Sequence, residues 1–133
     1  MIVSFTVPGE PKAKQRPRMT RTGHTYTPEQ TVTYENWVKA CYLEVGQAKL
    51  EGEIRATIVA FFSIPKSASK ARKQAMLNGE INPTKKPDID NIAKIILDPL
   101  NSLAYDDDKQ ITELRVAKRY SDKPRVEVTL EVI

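Results

Sequence analysis

Hydrophobic and polar positions alternate along this chain in blocks that predict strands and helices. Four segments show the two-residue alternation or the apolar runs of strands: residues 2–7, 54–62, 110–120 and 125–133. Residues 28–46 carry an apolar stripe at helical spacing, and shorter helical patterns follow Ser67 or Ser69 and then Asp88. The order predicts an α/β (α+β) fold in a single domain over residues 1–133. We expect a mixed sheet of about four strands, packed by two to three helices, whose last two strands form an antiparallel hairpin.

Two segments predict the centre of the fold. Residues 54–62 are apolar on both faces near their end, which indicates a central strand of the sheet. The helical stripe includes Tyr34 and Trp37, which we assign to the core rather than to a surface for stacking on bases. Cys41 lies on the same stripe and is the single cysteine, so an internal disulfide is excluded and a buried thiol is expected. With one cysteine and one histidine, a zinc site is not expected.

Basic residues are concentrated in two segments of a chain whose net charge is +4. Residues 11–28 hold five of the 21 lysines and arginines without an acidic residue, and residues 64–87 hold six of them beside one glutamate. Both segments predict contacts with DNA phosphates, and the alternative for residues 11–28 is a solvated, flexible loop. His24 and Tyr26 could stack on bases. The candidate DNA-binding residues are Lys12, Lys14, Arg16, Arg18, Arg21, Lys66, Lys70, Lys85 and Lys86.

The sequence contains no apolar run of the length that spans a membrane. It also lacks the basic and then apolar start that is typical of a secretory signal, so the expected location is the cytoplasm. A chain of 133 residues supplies only a small core, and association into a dimer would add buried surface.

Negative charge is concentrated between residues 86 and 110. This segment holds six of the 17 acidic residues: Asp88, Asp90, Asp98, Asp106, Asp107 and Asp108. Like charges at close range cost free energy unless a cation lies among them, so the cluster predicts a divalent-metal site. Each part also has a structural explanation, because Asp88 can cap a helix and Asp90 with Lys94 forms an ordinary pair one turn apart. The two acidic groups together favour the metal.

A helical projection places Asp90, Lys94 and Asp98 on one side of a helix and isoleucines on the other. Pro99 should end or kink this helix, so the run of three aspartates follows in a loop. Oxygen ligands without thiolate or imidazole suit Mg²⁺, with Mn²⁺ as a substitute. Because basic segments lie on either side, the pattern predicts metal-assisted hydrolysis of a phosphodiester, in which Lys94 stabilises charge or helps to position water.

The segment KPDIDNIAKIILDPLNSLAYDDDKQI resembles the central motif of the RusA family of Holliday junction resolvases. The N-terminal strand, the basic segment after it and the Tyr-Thr-Pro that follows are also similar to that family, so the resemblance covers nearly the whole chain. It implies a homodimeric, Mg²⁺-dependent endodeoxyribonuclease, often phage-encoded, that nicks four-way DNA junctions symmetrically in recombination and repair. Pro99 and Ser102 stand where the family more usually has a small residue and a glycine.

The same resemblance implies roles for individual residues. The family's metal-binding aspartates fall on Asp88, Asp90 and one of the pair Asp107 and Asp108, of which we favour Asp108. The family's catalytic lysine falls on Lys94. The catalytic set implied by the resemblance is therefore these residues together, with the choice within the aspartate pair left open.

Two other functions fit parts of the pattern. The basic segments alone need no enzyme, so the first alternative is a non-catalytic module that binds branched DNA and has a structural acidic cluster. The second is a metal-dependent phosphoesterase for small or single-stranded substrates. Cleavage of a four-way junction, compared with cleavage in EDTA and with linear or single-stranded DNA, separates the three.

Overall fold

Six strands and three helices form in the computed structural model, which describes residues 1–46 and 48–133. In chain order they are β1 (Ile2–Pro8), β2 (Arg18–Met19), β3 (Thr25–Tyr26), α1 (Glu29–Leu43), β4 (Ile54–Ser63), α2 (Lys70–Leu77), α3 (Ile89–Leu97), β5 (Ile111–Ser121) and β6 (Arg125–Val132). Two short 3₁₀ turns lie between α3 and β5, at Asp98–Leu100 and Asp108–Gln110. The four long strands and the three helices lie where the sequence pattern predicted them. The short strands β2 and β3 form inside the basic segment, residues 11–28, so this segment is not a loop throughout.

The main sheet has four strands in the order β1-β6-β4-β5. β4 is antiparallel to β6 and parallel to β5, so the sheet is mixed and β4 is central, as its apolar pattern predicted. Ile58 illustrates the register, because it lies opposite Val116 of β5 and Val128 of β6. β2 and β3 form a separate antiparallel ribbon.

The C-terminal pair of strands is present, but the predicted hairpin is wrong in its pairing. β5 and β6 run in opposite directions and are joined by residues 122–124, yet β4 lies between them in the sheet. The composition of the strands explains this order. β4 is apolar and gains a neighbour on each side in the centre, whereas β5 exposes Arg115 and Arg119 and suits the edge of the sheet.

One face of the sheet is covered by α1 and α3, which pack on each other and on the edge strands β1 and β5. Alternate side chains of each strand point into this layer, and those of β4 are Ile54, Ala56, Ile58, Ala60 and Phe62. Three isoleucines of α3 are almost fully buried: Ile92, Ile95 and Ile96. The opposite face carries charged pairs, including Arg55 with Glu113 and Glu131. The core therefore lies between one helical layer and one face of the sheet.

The prediction for α1 is wrong at one position. Tyr34, Val38 and Cys41 of the apolar stripe are buried, but Trp37 is 44 % exposed. α1 packs on the edge strand β1, and Trp37 Nε1 donates to the carbonyl oxygen of Pro8 at the end of that strand. Trp37 is therefore not a core residue.

The end of α3 agrees with the prediction from Pro99. The helix stops at Leu97, and the chain continues as a 3₁₀ turn. Ser102 then adopts a φ of 67°, in the left-handed region that favours glycine. This is the position at which the sequence resemblance expects glycine, so the backbone conformation explains that preference.

The helices are short. α1, the longest, has 15 residues, and α2 has 8. α2 begins after Ser69, whose hydroxyl accepts a hydrogen bond from the Arg72 amide at 3.2 Å, as a helix cap does. Across the described ranges, no helix has the length and the apolar composition needed to cross a membrane.

Candidate active site

The start of α3 presents carboxylates and an ammonium group on its solvent side. Asp88 holds the N-cap position with an extended backbone, φ −71° and ψ 159°, and its side chain makes no capping hydrogen bond. Asp90 and Lys94 are exposed one turn apart, because the buried isoleucines of the helix, Ile92, Ile95 and Ile96, face the core. The amphipathic pattern of this helix therefore places three of the predicted site residues on the surface side by local structure alone.

Two side chains that the sequence did not single out for a role hold the loop after α3. Tyr105 is fully buried, and its hydroxyl donates to the Leu97 carbonyl oxygen at 2.7 Å, which ties the loop to the last turn of α3. Burial, and then the nearby carboxylates, raise the pKa of Tyr105, so this hydroxyl remains a donor. Asn101 Oδ1 accepts a hydrogen bond from the Asp108 amide at 2.8 Å. The backbone of Asp108 is thus fixed relative to the end of α3.

Side-chain hydrogen bonds of Gln110 hold the other end of the same loop. Its Oε1 accepts hydrogen bonds from the amides of Asp106 at 2.9 Å and Asp107 at 3.3 Å. Its Nε2 donates to the carbonyl oxygens of Leu50 at 3.2 Å and Gly52 at 3.1 Å. One side chain therefore joins the aspartate loop to the segment that leads into β4.

These elements bring three aspartates and one lysine to a shared cavity of about 330 Å³. Asp90 and Lys94 line it from α3, Asp98 lines it from the end of that helix, and Asp108 lines it from the loop. Of the predicted catalytic residues, the structure thus places Asp90, Lys94 and Asp108 around one space, and it adds Asp98.

Asp88 and Asp107, the other two predicted metal ligands, do not line this cavity. Asp107 accepts a hydrogen bond from the Lys109 amide at 2.9 Å, and this bond is the main reason that the pKa of Asp107 lies below its usual value. The pKa of Asp108 is raised, first by burial and then by the carboxylates of Asp107 and Asp98. The cavity therefore holds negative charge that its own residues do not fully compensate.

Lys14 joins the basic segment to this cavity. Its Nζ lies 2.7 Å from Asp98 Oδ2 and 3.1 Å from Glu35 Oε2 on α1. Burial alone would lower the pKa of Lys14, but the hydrogen bonds to the two carboxylates outweigh burial and raise it. The next residue is anchored as well, since the Gln15 amide donates to Thr31 Oγ1 at 3.1 Å. Lys14, which was predicted to bind DNA, is thus engaged within the protein and fixes the segment beside the carboxylates.

The other cations that were predicted to bind DNA are exposed. Arg16 lines a second cavity, which Asp90 and Lys94 also line, so its guanidinium side chain borders the acidic site. Lys85 lies over the Phe62 ring, with its Nζ 5.9 Å from the ring centroid. Of the cations that were predicted to bind DNA, seven line neither of these two cavities: Lys12, Arg18, Arg21, Lys66, Lys70, Lys85 and Lys86.

The donor chemistry of the acidic cavity fits a small, hard cation. Because Asp98 is paired with Lys14, Asp90 and Asp108 are the carboxylates left to bind an ion. Within residues 1–46 and 48–133, no three side chains of the His, Cys, Asp and Glu types converge closely enough to hold a metal by themselves. Two carboxylates suffice for Mg²⁺, which usually keeps several waters and takes oxygens from a bound phosphate. Burial and then the neighbouring carboxylates raise the pKa of Asp108, and a bound cation would favour its charged form.

The cavity combines carboxylates with a lysine, and an exposed arginine lies beside it. These groups fit an enzyme that hydrolyses phosphodiester bonds in nucleic acids with the help of a metal ion. The family model of the endodeoxyribonuclease RusA matches residues 8–131 of this chain. The chain belongs to the RusA family of endodeoxyribonucleases, Holliday junction resolvases that act on branched DNA and generally depend on a divalent metal. It is also similar to YqaN, an uncharacterized protein of Bacillus subtilis (strain 168). The two are 37 % identical over 140 residues, which cover 98 % of this chain and 96 % of the relative.

Proposed function

We propose that this protein is a Mg²⁺-dependent resolvase that cuts four-way DNA junctions by paired, symmetric nicks in DNA recombination and repair. The observation that carries the proposal is the acidic cavity, where Asp90, Lys94 and Asp108 surround one space that adjoins Arg16. Mn²⁺ is the expected substitute for Mg²⁺. Two strands must be cut and each chain offers one such cavity, so the working form is a two-fold homodimer of the whole domain, residues 1–133.

The residues of the cavity have separate roles in this proposal. Asp90 and Asp108 are the principal metal ligands. Asp88, at the start of α3, and Asp107, in the loop, are the additional proposed ligands. When bound, the ion supplies Lewis acidity and positive charge at the phosphate. Lys94 lies on the same face of α3 as Asp90, and its ammonium group stabilises the negative charge that builds up on the phosphate oxygens.

The basic segment brings the DNA strand to this cavity. Arg16 borders it, and Arg18 and Arg21 follow along the chain as exposed cations. These side chains neutralise phosphates and hold a backbone that the carboxylates alone would repel. Lys14 contributes indirectly, because its bond to Asp98 fixes the start of the segment. We propose that Lys12 and the lysines at positions 66, 70, 85 and 86 extend this positive surface.

The Asp90→Asn variant tests the catalytic role. Asparagine keeps the size of the side chain but loses the charge that binds the ion, so the variant should bind a four-way junction and fail to cleave it. Asp122→Asn, in the exposed turn before β6, is the matched control and should cleave as the wild type does. Full Mg²⁺-dependent cleavage by Asp90→Asn would rule out the proposed mechanism.

The substrate panel tests the remaining alternatives. A four-way junction, a linear duplex and a single strand of matching sequence are incubated with the wild type, with Mg²⁺ or with EDTA. We expect metal-dependent nicks in the junction and slower cleavage of the other two. Binding without any metal-dependent product would identify a DNA-binding module, and equal rates on all three would identify an unselective phosphodiesterase.

A further inference from the structure

Four cavities follow one another from the acidic cavity along the basic segment to the exposed side of α1. The acidic cavity shares Asp90 and Lys94 with the cavity beside Arg16. That second cavity shares Gln15 with a third, next to the β2–β3 ribbon. The third cavity shares Glu29 and Gln30 with a fourth, on α1. Because neighbouring cavities have lining residues in common, they adjoin one another in this order, and we call the series the groove.

Trp37 lies at the far end of this groove. It lines the fourth cavity, of about 440 Å³, together with Lys12 and Tyr34. Its Nε1 donates to the Pro8 carbonyl oxygen at 2.9 Å, which fixes the ring by its edge, while 44 % of the residue is exposed. A large aromatic side chain that is held in one orientation and left open to solvent is a preformed contact surface.

A second exposed aromatic residue lies between Trp37 and the acidic cavity. Tyr26 of β3 is 46 % exposed and lines the third cavity with Arg18. Arg16 lies on the acidic side of Tyr26, and Lys12 lies beside Trp37. Exposed cations and aromatic side chains therefore alternate along the groove, and Glu29 is the acidic residue that lines its third and fourth cavities.

This alternation matches a single DNA strand, in which phosphates and bases alternate in the same way. A base inside a duplex has both faces covered by its neighbours, whereas a base that has left the stack can place one face on an aromatic side chain. The core of a protein–protein interface is depleted of charged residues, and this groove is rich in them. The observations thus favour DNA over a protein as the occupant.

Building on the proposed function, we propose that Trp37 and Tyr26 stack on unstacked bases of the same strand whose phosphate lies at the acidic cavity. The groove selects DNA in which bases have left the helix, as at the point where strands cross in a junction. It thereby provides part of the preference for junctions over linear duplex.

The fluorescence of Trp37 tests this inference directly, because Trp37 is the single tryptophan of the chain. In EDTA, where no strand is cut, the protein is titrated with a four-way junction and separately with a linear duplex of the same arm sequence. A base stacked on the indole quenches its emission and shields it from iodide. We expect both changes with the junction and neither with the duplex.

Three variants provide an independent measurement. Trp37→Ala removes the stacking face, Trp37→Phe keeps an aromatic face, and Leu43→Ala removes an exposed apolar side chain of the same helix outside the groove. Loss of one stacked base weakens binding by about 5- to 150-fold. The Kd for the junction should rise within this range for Trp37→Ala and stay near the wild-type value for the other two. The Kd for the duplex should be the same in all.

Several outcomes would overturn the inference. Unchanged Trp37 emission on junction binding, or equal Kd values for Trp37→Ala and Leu43→Ala, would remove the stacking role. Emission that shifts with protein concentration in the absence of DNA would assign the groove to a second copy of the chain. Cleavage is measured afterwards by adding excess Mg²⁺ to the same samples. A protein that cuts junctions without engaging Trp37 would refute stacking and leave the proposed function in place, whereas one that neither binds nor cuts would refute both.

Discussion

The substitution Gln110→Leu tests whether a hydrogen-bonded frame positions the aspartate loop, because it removes the side-chain amide and keeps its size. Gln110 accepts two amide hydrogen bonds and donates two to backbone carbonyls, at 2.9–3.3 Å. Each bond contributes about 0.5–1.5 kcal/mol net, and the freed groups in this half-exposed place can partly rebond to water. We therefore expect the free energy of unfolding to fall by about 2 kcal/mol. For a domain of this size the Tm should fall by about 8 °C.

The same substitution should impair cleavage, because the loop also carries Asp108 into the acidic cavity. A displacement of about 1 Å at a catalytic group costs on the order of 100-fold in rate. We expect junction cleavage by Gln110→Leu to fall by that order, and the Mg²⁺ concentration for half-maximal rate to rise. Urea denaturation measures the first effect, and cleavage rates over a Mg²⁺ titration measure the second.

Gln74→Leu is the matched control, because Gln74 makes one side-chain hydrogen bond, to Asn78 at 3.0 Å on the exposed side of α2. It should change the free energy of unfolding by less than about 0.5 kcal/mol. Gln110→Glu tests the accepted and the donated hydrogen bonds separately. A carboxylate can still accept from the loop amides, but it cannot donate to the carbonyl oxygens of Leu50 and Gly52. Wild-type unfolding and cleavage by Gln110→Leu would refute the reasoning, because the loop would then be positioned by other contacts.

Three further variants test other parts of the structure. Lys14→Met leaves Asp98 without its partner, so the free energy of unfolding in urea should fall by about 1–2 kcal/mol, and an unchanged value would contradict the anchoring role. Ser102→Gly relieves a φ of 67° and should raise the free energy of unfolding by roughly 0.5–1 kcal/mol, whereas a loss of stability would contradict the strain. The hydrogen bond from Arg55 lowers the pKa of Glu113, so this pair stabilises the protein above the usual glutamate pKa and loses that contribution as the pH falls. Wild-type Tm should therefore fall more steeply than that of Glu113→Gln between about pH 5 and pH 3, and parallel curves would refute the linkage.

The elements of the fold were predictable because burial of one face imposes a period on each segment. The apolar residues on both faces of β4 and the isoleucine stripe of α3 correctly indicated a central strand and an amphipathic helix. The pairing of the strands was not predictable in the same way. A period shows which face of a strand is buried, but it does not show which strand lies beside it. The apolar composition of β4 indicated a central position, but not that this position lies between β5 and β6.

Trp37 shows the corresponding limit for a helix. Its spacing on the apolar stripe is as regular as that of Tyr34 and Val38, yet it is half exposed while they are buried. The width of the surface that α1 can cover depends on β1 being the edge strand, which is a property of the assembled sheet. A residue that fits the core pattern and remains outside the core is therefore visible only after the fold is known.

In the acidic site, too, some features follow from local structure and others from long-range contacts. The exposure of Asp90 and Lys94 follows from the helix itself, whereas the ion pair between Lys14 and Asp98 joins residues 84 positions apart and has no local pattern. Because of this ion pair, a polar residue near the cavity need not be a metal ligand. Asp98 has its charge neutralised within the protein, and the side chain of Gln110 bonds to backbone groups, so both act on the position of the loop and the basic segment. Polar residues in such a motif can therefore be required for geometry as well as for metal binding, and their substitution should change stability together with cleavage.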